Sequence, residues 1–219
     1  MKRGILLFML FLMYLNGNGQ NLGIKSNLLY DATSTINLGI EYAISDKLTL
    51  DVSMNFNPWA FPQQRISRES GEVIFQHDAI LKNLMIQPEM RWWLCEKFNG
   101  HFFGAHIHGG YFNVGGLTCL PERFGDGWID ENGRYNKGGF QHNRFEGWFA
   151  GVGGSYGYHW ILSNRMSMEF SLGAGYAYMR YDKYRNYSSV ENPPKESTKF
   201  RLNYFGLTKA GISLIYMLY

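Results

Sequence analysis

Thr208-Lys209-Ala210-Gly211-Ile212-Ser213-Leu214-Ile215-Tyr216-Met217-Leu218-Tyr219 is the stretch whose reading decides the fold. Successive side chains of a strand point to opposite sides, so Ala210, Ile212, Leu214, Tyr216 and Leu218 share one face and Lys209, Gly211 and Ser213 the other. A strand that is apolar on one side and polar or small on the other suits a membrane barrel, with lipid outside and a filled interior. The same residues have the form of an insertion signal for barrel-assembly machinery: polar Lys209, then Gly211, then lipid-facing Leu214 and Tyr216, with aromatic Tyr219 last.

The other end of the chain points to export. Lys2 and Arg3 precede an apolar run from Ile5 to Leu15 and a small polar exit at Asn16 to Gly19. That run is too short to span a bilayer and reads as a cleavable signal peptide, residues 1–19, ahead of a single domain at 20–219. The chain carries 21 basic and 18 acidic residues. Without Lys2 and Arg3 the balance is 19 to 18, which gives no electrostatic case for nucleic acid. No segment of the mature chain has the roughly twenty apolar residues of a membrane helix, so a lipid-facing wall has to be made of strands.

Eight alternating segments are expected. They run from Leu22 to Tyr30, Ile36 to Ile44, Leu48 to Phe56, about Leu84 to Leu94, His101 to about Val114, about Phe145 to Ile161, Met166 to about Tyr181, and about Phe200 to Leu218. Ser45-Asp46-Lys47, Glu96 to Gly100 and Ser163-Asn164-Arg165 read as tight turns, while Asn57 to Lys82, Gly115 to Arg144 and Asp182 to Lys199 read as long loops. Short turns on one side and long loops on the other are the asymmetry of outer-membrane barrels. Tyr30, Trp59, Phe61, Trp92, Trp93, Tyr111, Trp148, Trp160, Tyr178, Tyr181 and Tyr204 lie near the segment ends, where aromatic rings favour a membrane interface. Pro88 is the weak point of the fourth segment, since proline cannot donate to a ladder. A soluble sandwich also alternates, and the cysteines separate the two folds. Cys95 falls at a turn and Cys119 in a loop, at opposite ends of a barrel and far beyond the roughly 7 Å limit of a disulfide.

The stretches Lys25-Ser26-Asn27-Leu28-Leu29-Tyr30-Asp31-Ala32, Asn37-Leu38-Gly39-Ile40-Glu41, Gln87-Pro88-Glu89-Met90-Arg91-Trp92-Trp93, Gly100-His101-Phe102-Phe103-Gly104 and Phe205-Gly206-Leu207-Thr208-Lys209-Ala210 resemble the family called domain of unknown function 3575. The resemblance implies a small outer-membrane-type β-barrel, and genes of the family near those for surface fimbriae imply a fimbrial or other surface partner. It implies no catalytic residues.

The polar face gathers Lys25, Glu41, Asp51, Glu89, Arg91, Glu169 and Lys209. The interior of an eight-stranded barrel is just wide enough for side chains to fill, and buried charges persist there when paired, so these seven read as an interior charge network. A gated pore or proton relay is the alternative. His106 and His108 share a face near Glu89 and Arg91, which suits hydrogen bonds to interior carboxylates or, with further ligands, zinc. Ser155, His159 and Glu169 place a hydroxyl, an imidazole and a carboxylate on adjacent segments, but no G-x-S-x-G turn accompanies them. Asp126 to Gly133 is acidic and glycine-rich without the ligand order of a calcium loop.

The expectation is an all-β protein, a single eight-stranded antiparallel up-and-down transmembrane β-barrel. It would sit in the outer membrane of a Gram-negative bacterium, need no cofactor and perform no catalysis. Its partners would be outer-membrane lipid, the assembly machinery and a surface or fimbrial component bound by external loops. A lumen-based lipid-modifying enzyme or small-solute channel is the alternative function.

Overall fold

The computed structural model describes residues 21–66, 73–117, 128–129, 135–136, 143–185 and 197–218. The expected signal segment 1–19 and Tyr219 therefore lie outside the described residues. In chain order the strands are β1 (Leu22–Asn27), β2 (Ile36–Ser45), β3 (Leu48–Ile66), β4 (Val73–Trp93), β5 (Gly100–Gly115), a minor pair β6 (Trp128–Ile129) and β7 (Tyr135–Asn136), then β8 (Asn143–Ile161), β9 (Met166–Arg185) and β10 (Ser197–Leu218). The eight long strands pair antiparallel in the order β1-β2-β3-β4-β5-β8-β9-β10. β10 pairs back onto β1 from Leu22 opposite Leu218 to Asn27 opposite Ser213, so one sheet closes in a ring.

One row of paired residues runs round that ring: Gly23, Glu41, Asp51, Glu89, His106, Gly153, Gly175 and Gly206. Gly23 also pairs directly with Met217, eleven positions from Gly206, and the bulge residue Thr208 takes up one of them. The remaining stagger of ten residues is the register shift that closure requires, and it tilts every strand. The β4–β5 ladder is interrupted between Ile86 opposite Gly109 and Glu89 opposite His106. The gap falls at Pro88, which has no N–H to give.

Three expected boundaries are corrected, the simplest being the loop expected from Asp182 to Lys199, whose ends are strand because β9 continues to Arg185 and β10 begins at Ser197. The first segment does not run as strand to Tyr30. After Asn27 the chain enters a short helical turn, α1 (Leu28–Asp31), because the Asn27 side chain accepts from the Leu29 amide at 3.1 Å and caps the turn. Asn37 Nδ2 holds the Asn27 carbonyl and Asp31 Oδ1 at 3.2 and 2.7 Å, and Ser26 Oγ donates to Asp31 at 2.8 Å. These bonds tie the turn to β1 and β2.

The expected loop from Asn57 to Lys82 is mostly strand. β3 and β4 stay in register from Asn57 opposite Asn83 to Arg65 opposite Phe75, and after a one-residue shift Ile66 pairs with Val73. β2 stops pairing at Phe56 and β5 stops at Ile80, so this hairpin projects past both neighbours, its outer edges unpaired among the described residues. Pro58 and Pro62 sit on that projection, where proline removes no ladder bond from a third strand.

The burial pattern is inverted relative to a water-soluble protein. Outward side chains are large and apolar, with Phe205 78% and Ile107 59% exposed, whereas Arg91 and Glu41 inside the ring are 0% exposed. Trp93, expected among the end aromatics, shares the inward parity of Glu89 and Arg91 and is buried. It packs with Ala43, Phe98, Phe102, Ile215 and Met217 as an apolar floor at the short-turn end.

Candidate functional site

Strand parity sends Glu41, Asp51 and Glu89 inward on three adjacent strands, each directly opposite the next. Like charges so placed repel, and Arg91, two residues beyond Glu89 on the same face, answers that repulsion. Its Nε donates to Glu89 at 2.7 Å, Nη1 to Glu41 and Glu169 at 2.7 Å each, and Nη2 to Asp51 at 2.8 Å and Glu169 at 3.1 Å. A guanidinium has five N–H donors, and every one is used. Glu169 lies on β9, across the interior from β4, so this fork bridges opposite walls.

Lys25 and Lys209 supply the other positive charges. Lys25 Nζ lies 3.0 Å from Glu41 and 2.9 Å from Asp51, and Lys209 Nζ lies 2.8 Å from Glu89. The structure therefore brings all seven predicted interior residues into one network of four carboxylates and three cations. His106 joins it, with Nδ1 3.4 Å from Glu89 and Nε2 2.9 Å from the Thr208 hydroxyl.

Small residues opposite make the room. A side chain at Gly153 would come within 2.6 Å of His106, one at Gly104 within 2.8 Å of Glu89, and one at Gly157 would collide with Phe102. Below the charges, Phe102 lies 4.5 Å under the Arg91 guanidinium and 4.9 Å from Trp93. Toward the loop end, Phe112, Phe145, Phe149, Tyr181 and Phe200 form a chain of ring contacts inside β5, β8, β9 and β10. The cavity bordering Lys25, Asp51, Arg91, Glu169 and Lys209 measures about 30 Å³, enough for about one water molecule. This layering holds charge in place.

The remaining candidates come apart. Ser155 and His159 are four residues apart on β8, about 13 Å at strand rise, so the imidazole cannot reach the hydroxyl. Ser155 Oγ instead donates to Glu89 at 3.0 Å, and His159 packs edge-on against Trp93 at 5.6 Å. The His106 and His108 rings are 5.5 Å apart, and among the described residues no group of three His, Cys, Asp or Glu side chains is placed to hold a metal. The acidic stretch Asp126 to Gly133 lies outside the described residues except for Trp128–Ile129. Of the insertion-signal residues, Lys209, Gly211, Leu214 and Tyr216 are all on β10, with Gly211 facing in and Leu214 and Tyr216 facing out.

Cys95 is free and exposed beside the β4–β5 turn; Cys119 lies outside the described residues. β5 runs about 50 Å from Gly100 to Gly115, and the four residues from there to Cys119 reach back at most about 14 Å. Mass mapping under non-reducing conditions is expected to find both thiols unpaired with each other, and a Cys95–Cys119 peptide would contradict the ring.

Sequence reasoning did not single out Thr49, which donates to Glu41 at 2.5 Å and accepts from Trp93 Nε1 at 3.0 Å. Its parity with Asp51 was the available signal. Thr208 was not legible as an inward partner, because the bulge that turns it toward His106 leaves no mark in the alternation.

The chain belongs to the family described as protein of unknown function (DUF3575), whose model matches residues 5–218. No curated protein and no solved structure matches it.

Proposed function

We propose that this chain is an outer-membrane β-barrel of a Gram-negative envelope, exported by a cleavable signal, that acts as a rigid scaffold for docking a surface component at its loop end. The observation that carries the reading is the inversion of burial, with apolar side chains outward on every wall and an ion network within. In water such a belt is an aggregation hazard; in lipid it is the required surface. No helix among the described residues is long and apolar enough to cross a membrane, so a spanning wall would have to be the strands themselves.

The packed interior favours a scaffold over a channel, and the dispersal of Ser155 and His159 favours it over a hydrolase. The loop end carries the projecting β3–β4 hairpin and the longest connections, and binding is usually placed on such segments of a rigid frame. A fimbrial component is the partner the family's gene neighbourhood suggests.

Fractionation of expressing cells tests this. The mature protein, starting near Gln20, is expected in outer membranes, resistant to carbonate extraction and with heat-modifiable gel mobility. Recovery as a soluble periplasmic monomer would overturn the reading. Crosslinking from the loop end in intact cells should then capture a surface protein, and capture from the short-turn end alone would contradict the docking role.

A further inference from the structure

Arg180 on β9 and Arg201 on β10 are direct cross-strand partners, both exposed on the outward face. Opposed like charges repel, and these two have no hydrogen-bond or ion-pair partner among the described residues. Other arginines are engaged: Arg91 in the interior network, Arg144 with Asn113 and Glu146 at 2.8 Å each, Arg165 with Tyr216. The nearest outward carboxylates, Asp182 and Glu146, stand one pair further out, where Asp182 faces Lys199 and Glu146 is held by Arg144.

Immediately below the arginines lies an aromatic shelf. Tyr176 packs on Phe205 at 4.9 Å, Trp148 on Tyr178 at 5.8 Å, and Trp148 is itself the cross-strand partner of Arg180. From Met166 to Tyr178 every outward position of β9 is apolar or aromatic. Twelve residues at strand rise and a tilt near 40° climb about 30 Å, the thickness of a hydrocarbon layer. Arg180 and Arg201 therefore stand where the headgroups of the outer leaflet would lie.

We propose that Arg180 and Arg201 form a seat for the phosphate of an anionic lipid headgroup, with the lipid's acyl chains lying along Leu172, Phe205 and Leu207. A phosphate between the two guanidinium groups turns their repulsion into paired, charge-assisted hydrogen bonds, and the planar fork of arginine matches that geometry. The proposal rests on the membrane reading above, and the experiment separates the two.

The mature protein is folded into phosphatidylcholine vesicles with and without phosphatidylglycerol, insertion is read by protease protection and heat-modifiable mobility, and lipid retained after detergent extraction is counted by native mass spectrometry. Wild-type protein is expected to retain phosphatidylglycerol about tenfold more than Arg180→Gln/Arg201→Gln, the loss expected from removing the charged donors. Lys47→Gln/Arg165→Gln, which removes the same charge at the short-turn end, is expected to match wild type, and Arg180→Lys/Arg201→Lys to fall between. Equal retention by wild type and the Arg180/Arg201 glutamine variant overturns the seat while insertion still supports the membrane reading. Displacement of the lipid by inorganic phosphate alone would also overturn it, by showing a free-anion site. Failure of wild type to insert would sink both.

Discussion

Arg91→Ala is expected to cost at least about 3–5 kcal/mol of unfolding free energy, the scale for removing one partner of a buried ion pair. The substitution deletes five hydrogen bonds and leaves Glu41, Asp51, Glu89 and Glu169 facing one another with Lys25 and Lys209 alone to compensate. Because the group is fully buried, added salt should recover little of the loss. Arg91→Lys should fall between wild type and alanine, since an ammonium keeps the charge but its three donors cannot meet five acceptor contacts. Glu169→Gln should cost less, because it removes one carboxylate from a network that has one more acid than base. Urea unfolding of the protein folded in detergent, followed by heat-modifiable mobility, measures all three. An Arg91→Ala midpoint equal to wild type would mean that the network does not hold the ring together.

That network was legible because parity is a rigid rule. Once Gln87, Glu89 and Arg91 are assigned to one face, Glu41, Asp51 and Glu169 follow on their own strands, and a narrow interior forces them together. The same rule pointed to Trp93 as an inward residue, yet its aromatic character suggested an interface, and packing against Phe98 and Phe102 decided the matter. Boundaries were harder. Asn57 to Lys82 read as a long loop, and only the tertiary fact that this hairpin outruns β2 and β5 makes Pro58 and Pro62 admissible in strands. Asn27 ends β1 through hydrogen bonds to Leu29, Asn37 and Ala210, a partnership between segments up to 183 residues apart that no local pattern encodes. Arg180 and Arg201 are likewise brought together by register alone.

On the proposed outer-membrane reading, deleting Leu214 to Tyr219 is expected to abolish folded protein in that membrane. The deletion removes five of the six β1–β10 pairs, from Leu22 opposite Leu218 to Ser26 opposite Leu214, and leaves two open edges whose backbone groups have no partner in lipid. Point substitutions on β10 should then report depth. The outward apolar positions run from Leu218 through Tyr216, Leu214, Ile212 and Ala210 to Leu207 and Phe205, so on that reading the midplane falls nearest Ile212. Arginine costs about 2–4 kcal/mol at the midplane and about 0–1 near the interface, so Ile212→Arg should impair assembly most, Leu214→Arg less, and Tyr216→Arg least. Ser213 is the control, since it is buried inside the ring opposite Asn27 and Glu169, and Ser213→Ala trades only a hydroxyl for a smaller side chain. Quantifying heat-modifiable protein in outer-membrane fractions gives the order. Normal levels from the deletion, or equal behaviour of Ile212→Arg and Ser213→Ala, would show that β10 neither closes the wall nor faces lipid.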